Sequence, residues 1–161
     1  MTNLKIEFYL RLILIISLVA IISAYFIEYV LGHQPCNLCL IERIPYGLCI
    51  ILITLNYFFK KKEKLIILLL ILIFFFSFTI SIYHLGIEQG IFKESGVCGL
   101  KDMTGIISKD EILKQLQEKT VSCKDVTFRI FGLSLTSINI LLSLILVTLL
   151  TKIYISYEKN K

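Results

Sequence analysis

Four long apolar runs dominate this chain and leave it few places to fold. Residues 12–31 contain one charge, Glu28, and residues 65–83 contain none. Residues 133–155 carry only Lys152, near their end, and residues 41–59 carry Glu42 and Arg43 at their start. A bilayer span needs about 20 mostly apolar residues, because lipid offers no partner to an unpaired backbone N–H or C=O. The chain has 161 residues, 57% of them hydrophobic. A soluble domain of that length has too little interior to hide this much apolar surface. The expected fold class is therefore an all-α membrane protein. Its four transmembrane helices form one bundle over residues 1–161, with a short outer loop at about 32–40 and a long one at about 84–132. The first run is too long for the apolar region of a signal peptide, and no clear small-residue cleavage site follows it, so it reads as a retained helix.

Basic residues orient the bundle. Lys5 and Arg11 precede the first run, Lys60, Lys61, Lys62 and Lys64 crowd the link between the second and third, and Lys159 and Lys161 close the chain. With four spans these clusters share one side, expected to be cytoplasmic, as are both termini. The long outer segment balances seven basic residues against seven acidic ones and gives no orienting signal. The net charge of +5 thus reflects topology. The basic residues form no patch, which argues against nucleic acid as a partner.

Five cysteines divide unevenly. Cys36, Cys39, Cys98 and Cys123 fall in or beside the outer loops, and Cys49 falls inside the second span. An oxidising compartment favours disulfide chemistry among the first four. Cys49 lies ten residues past Cys39, about 15 Å along a helix at 1.5 Å per residue, and reads as a small buried apolar side chain. Cys36-Asn37-Leu38-Cys39 is a C-x-x-C motif at the start of an apolar helix, where orphan N–H groups favour a thiolate. Arg43 lies four residues past Cys39 and would share its face in an unbroken helix. A snorkelling arginine that meets phospholipid headgroups is the bland alternative. Pro45 leaves the local geometry open: a helix starting near Glu42 holds it in the first turn, whereas one starting near Leu38 is kinked there.

In the long outer segment Cys98 stands between Gly96 and Gly99, which leave it free to move. Ser108-Lys109-Asp110-Glu111 has the capping-box form, and Ile112, Leu113 and Leu116 follow at helical spacing. A short amphipathic helix is expected there, either on the membrane surface or packed on its own loop. Cys98 and Cys123 flank it and could close a disulfide across it.

Three chemistries suit four outer cysteines. Two inert structural disulfides are one, although a C-x-x-C bridge closes a very small loop and stabilises little. A four-cysteine zinc site is another, but Cys98 and Cys123 lack the close spacing of a second ligand pair. A relay between two exchanging thiol–disulfide pairs accounts best for Arg43 and the apolar surroundings together, and needs no metal.

The run Pro35-Cys36-Asn37-Leu38-Cys39-Leu40-Ile41-Glu42-Arg43-Ile44-Pro45-Tyr46-Gly47 resembles the signature of the bacterial disulfide bond formation protein B family, DsbB. Tyr83-His84-Leu85-Gly86-Ile87-Glu88-Gln89-Gly90, Cys98-Gly99, Cys123 and Phe131-Gly132-Leu133 are similar to its second outer loop and last helix. The resemblance implies a multi-pass protein of the bacterial inner membrane with periplasmic cysteine loops. It implies an enzyme that reoxidises a DsbA-like thioredoxin-fold oxidase and passes the electrons to a quinone, ubiquinone or menaquinone. Cys98 is implied as the partner of the mixed disulfide, and Cys123 as its mate, which exchanges with Cys36. Cys39 is implied as the thiolate that meets the quinone, with Arg43 at the quinone site. His84 matches a further quinone-side position across a one-residue gap, and reads equally as an interfacial histidine. His33 and Glu28 read as interfacial. The competing readings are a reductase like vitamin K epoxide reductase, and a membrane binding or assembly protein with structural disulfides only.

Overall fold

A computed structural model describes residues 3–58, 63–94, 98, 121–125, 128–130 and 132–159. Helix α1 runs Asn3–Tyr29, the short α2 Asn37–Ile41, α3 Ile44–Phe58, α4 Glu63–Glu88 and α5 Leu135–Lys159. Among the described residues four stretches are long and apolar enough to cross a membrane: Ile6–Tyr29, Asn37–Phe58, Glu63–Glu88 and Leu135–Tyr157. The all-α membrane class is therefore as expected. The amphipathic helix expected after Ser108 lies outside the described residues.

The bundle is sewn unevenly. Helix α4 packs most extensively on α5, and α3 joins α1 to α4, while α5 meets α1 only lightly. Ile13, Cys49, Ile53, Ile67, Phe74 and Leu146 lie in the shared core. Large apolar side chains such as Phe8, Ile22, Phe75 and Phe76 point outward, as they must where the surroundings are lipid. Small hydroxyl residues stitch the interior. Ser77 and Ser143 hydrogen-bond across α4 and α5 at 3.2 Å, and Ser17 donates to Cys49 Sγ at 3.3 Å. Inside lipid such contacts bring helices close without leaving a polar atom unpaired.

Helix ends depart from the hydropathy pattern, and each departure has a local cause. The second span is broken, with α2 ending at Ile41 and α3 starting at Ile44. Pro45 lacks an N–H for the Ile41 carbonyl, and its ring would strike that carbonyl in a continuous helix. The break puts Pro45 inside the first turn of α3, where no hydrogen bond is lost. His84, expected at the start of the long outer loop, is not in a loop. Helix α4 carries it and continues to Glu88, so the outer segment begins after the helix and not at 84. Its stop signal is Gly90, with φ +74°. Gly90 N–H returns to Ile87 C=O at 2.9 Å and Ile91 N–H to Gly86 C=O at 2.8 Å, the paired closure of a Schellman cap. Hydropathy falls at His84 because the outer end of α4 is buried by protein and not by lipid.

A two-residue β-hairpin leads into the last helix: β1, Arg129–Ile130, pairs antiparallel with β2, Leu133–Ser134. It holds α5 from beginning at 133, and Gly132 at φ +83° takes the turn.

A non-glycine residue in the left-handed region costs about 1–2 kcal/mol. Gly90→Ala should therefore lower the thermal midpoint of the detergent-solubilised protein, whereas Gly47→Ala should hold or raise it. Gly47 lies within α3, and a Cβ there would meet nothing within 4 Å. Equal midpoints for the two variants would count against the cap.

Candidate functional site

At the outer end of the bundle both cysteine pairs enter one small cluster. Cys36, Leu38, Ile87, Cys98 and Cys123 are buried together, with Cys39, Ile41 and Tyr83 packed against them. Cys98 and Cys123 form a disulfide, with Cα atoms 5.6 Å apart. Both of its cysteines are buried: Cys98 is 1% exposed and Cys123 2%. Glu94 fixes the approach to Cys123, accepting hydrogen bonds from the Ser122 hydroxyl and, at 3.0 Å, from Lys124 N–H. Tyr83 stacks on Phe92, whose ring also lies against Gly86, so the chain leaving α4 is pinned back on the helix.

Cys36 caps α2. Its backbone is extended, and its sulfur accepts the Cys39 N–H at 3.3 Å. The two sulfurs are 2.8 Å apart, and both cysteines are free thiols here. Cys39 is the more exposed of the two. The Cys36 thiol is held well below the ordinary thiol range, first by the hydrogen bond from the Cys39 thiol. Burial opposes this, and His84 adds a hydrogen bond and a favourable charge.

His84 is the residue that the sequence placed least securely, and the structure sets it beside the sulfurs. Its Nε2 is 3.4 Å from Cys36 Sγ, and its Nδ1 is 3.0 Å from Glu42 Oε1. Arg43 goes elsewhere. The break before Pro45 turns its guanidinium onto Glu28, and it lies 5.0 Å from the centre of the Tyr25 ring. The cation expected beside Cys39 is thus paired with a carboxylate of α1, although Arg43 and Cys39 border the same cavity. Glu28 is not merely interfacial but is the partner of Arg43. His33 tilts against Phe128 at 4.9 Å and ties the two outer segments together.

Sequence reasoning missed Glu42, Thr136 and Asn139. Thr136 Oγ1 is 3.2 Å from His84 Nδ1 and donates to Glu88. Asn139 donates to Glu42 Oε2 at 3.1 Å and to Ser81 at 2.8 Å, and accepts from Tyr46. The available signal was a polar residue at intervals within otherwise apolar helices, which is costly in lipid and marks function.

A cavity of about 340 Å³ opens beside these groups. Cys36, Cys39, Arg43 and His84 line one end, and Cys123 also reaches it. The walls are apolar: Ala20, Ala24 and Ile27 from α1, and Ile138 and Leu142 from α5. It therefore lies along the α1–α5 seam, which is only lightly packed. Its size and its few convergent polar groups suit an organic ligand with an apolar body and a polar edge.

The donor atoms of Cys36, Cys39 and His84 all lie within 4.8 Å of one another and could meet a soft metal ion. Tetrahedral zinc with Zn–S near 2.3 Å would hold two sulfurs roughly 3.7 Å apart. The observed 2.8 Å is tighter and suits a dithiol about to close. Chemically, the site offers a closed disulfide, a second pair in reach of closure, and an imidazole against one of its sulfurs, all beside an apolar cavity.

Comparison with known proteins agrees. The sequence profile of the family "Disulfide bond formation protein DsbB" matches residues 7–153. An uncharacterized protein of Rickettsia prowazekii (strain Madrid E) is 30% identical over 155 residues, covering 94% of this chain and 90% of its own length. Among solved structures none matches. The match spans all four helices and both cysteine pairs, and the chain belongs to the DsbB family, as an integral membrane protein of disulfide oxidoreduction.

Proposed function

We propose that this protein reoxidises a soluble thioredoxin-fold oxidase of the DsbA type and passes the electrons to a membrane quinone. One observation carries the reading: Cys123, Cys36 and Cys39 border a single cavity whose walls are apolar. A structural disulfide has no need of a second dithiol beside it, nor of an opening along a helix seam.

In this reading a thiolate of the partner attacks Cys98, the Cys98–Cys123 bond breaks, and Cys123 leaves as a thiolate. A second thiol of the partner then displaces Cys98, so the partner is oxidised and the Cys98/Cys123 pair is reduced. Cys123 attacks Cys36 of a closed Cys36–Cys39 bond, and Cys39 leaves as a thiolate. Cys98 then attacks Cys123, restoring the outer disulfide and releasing Cys36. Two electrons and two protons have moved inward without any metal. A quinone, when bound, supplies the final two-electron, two-proton sink. The residues fit such a ring. Cys39 lies on the cavity, Arg43 offers guanidinium donors to a ring oxygen, and the helix walls accommodate an isoprenoid-like tail. The paired Glu28 holds Arg43 in place across the seam. The basic clusters favour cytoplasmic termini and a periplasmic face for the cysteines.

Access to the buried outer disulfide is the step that the partner must supply. Binding of the oxidase has to uncover Cys98 before exchange begins.

Two outcomes test the relay. With purified protein, reduced oxidase and quinone, Cys39→Ser should abolish quinone reduction, lowering the rate by at least about 10³-fold, since the only remaining thiol of the pair cannot reclose. Cys98→Ser should accumulate no mixed disulfide with the oxidase on non-reducing gels. Quinone reduction that survives loss of Cys39 would sink the reading. Separately, Cys49→Ser should keep near-normal turnover, because Cys49 is fully buried in the core and contacts Ser17, away from the other sulfurs. A loss of turnover in well-folded Cys49→Ser would place that thiol in the path and overturn the assignment.

A further inference from the structure

A buried carboxylate at the outer end of an apolar bundle is expensive unless its position is used. Glu42 is 8% exposed and His84 1%. The carboxylate is bound on both oxygens, Oε1 facing His84 Nδ1 at 3.0 Å and Oε2 taking the Asn139 amide at 3.1 Å. The amide is itself fixed, because Nδ2 also donates to Ser81 and Oδ1 accepts from Tyr46. Residues from α3, α4 and α5 therefore converge to hold one carboxylate in one place. Its effect is to choose the imidazole's tautomer. Nδ1 carries the hydrogen and gives it to Glu42, so Nε2 presents its lone pair to Cys36 Sγ, 3.4 Å away. The logic is that of a carboxylate–histidine–nucleophile triad, in which the acid holds the base and stabilises its protonated form.

We propose that His84 is the base that takes the proton of Cys36, and that Glu42, locked by Asn139, is the positioning residue that makes it one. The inference rests on the relay reading for its place in the cycle. Closing the Cys36–Cys39 bond oxidises two thiols, so two electrons and two protons must leave. The electrons go to the quinone. The Cys36 S–H bond breaks, its proton goes to His84 Nε2, and the sulfur's electron pair forms the new bond to Cys39, which in turn loses its S–H proton and gives up an electron pair to the quinone. His84 and Glu42 both border the cavity that Cys39 faces, so this proton leaves toward the same acceptor as the electrons. The other proton is that of Cys39.

The ionisable groups around Cys36 can be named from each side. Cys39 comes from α2, Glu42 from the turn after it, and His84 and Glu88 from α4, with Glu88 Oε1 3.9 Å from His84 Nε2. Helix α5 contributes Thr136 and Asn139, which do not titrate, and Cys123 is tied in its disulfide. Arg43 faces Glu28, while His33 and Asp125 stand on the cavity rim.

The test needs neither quinone nor partner. In a Cys39→Ser, Cys49→Ala background with the outer disulfide intact, Cys36 is the sole thiol, and its ionisation is read by ultraviolet thiolate absorbance against pH. Glu42→Gln keeps the shape and an oxygen for Nδ1–H but removes the charge, and should raise the midpoint by about one pH unit or more. His84→Gln should raise it at least as far, and Glu42→Asp should restore part of the shift. If both Glu42→Gln and His84→Gln leave the midpoint where the background has it, with thermal midpoints showing intact folding, the proposal is overturned. Should Glu42→Gln fail to fold, the His84→Gln titration alone decides. Because the assay contains no electron acceptor, a failed relay and a failed base give different results: the first shows in quinone reduction, the second in the titration.

Discussion

Pro45 cannot continue the helix that Cys36 begins, and the layout of the outer end follows from that one steric fact. A straight helix from Asn37 would stack Arg43 beneath Cys39 along a single face. Pro45 has no N–H to donate to the Ile41 carbonyl and its ring would strike that carbonyl, so the chain takes a turn at Glu42 and Arg43 before α3 resumes. The turn sends two opposite charges in two directions. Arg43 swings to α1 and meets Glu28, while Glu42 swings to α4 and meets His84. Each charge is thereby neutralised at close range in a region where water is scarce. The group that touches Cys36 from α4 is the imidazole of His84, with Nε2 3.4 Å from the sulfur.

The large features were legible because lipid imposes them. Twenty apolar residues in a row admit few structures, and the runs around Leu18, Phe74 and Leu146 reported their helices directly. Cysteine placement relative to those runs was equally plain. Local endings were harder. His84 looked like the first residue of a loop because hydropathy measures affinity for lipid, and this residue is covered by Cys36, Glu42 and Thr136 instead. The terminating glycine, Gly90, was visible, but its role depends on a left-handed backbone that composition does not report.

The polar lattice around Glu42 was the least legible part, and for a physical reason. Its members are far apart in sequence: Asn139 stands 97 residues from Glu42, and Thr136 stands 52 from His84. Each by itself is a tolerable polar residue near a helix end, and no periodicity links them. Only the meeting of the turn before α3 with α4 and α5 turns them into partners. The sulfurs, by contrast, carry their chemistry in their identity and announce it wherever they fall.

The uneven sewing of the bundle has a kinetic meaning. Helices α4 and α5 are closely joined, whereas α1 and α5 barely touch, and the cavity lies along that weaker join. A ligand that dissolves in the bilayer can come and go through such a slit sideways, never crossing an aqueous phase. Its arrival is then set by two-dimensional diffusion and by its abundance among the lipids, and its departure by how readily α1 leans away. In the proposed relay the protein partner would arrive from the other direction, through water. Two reactants that share no solvent thus reach one set of sulfurs by separate doors, and neither need wait for the other to leave.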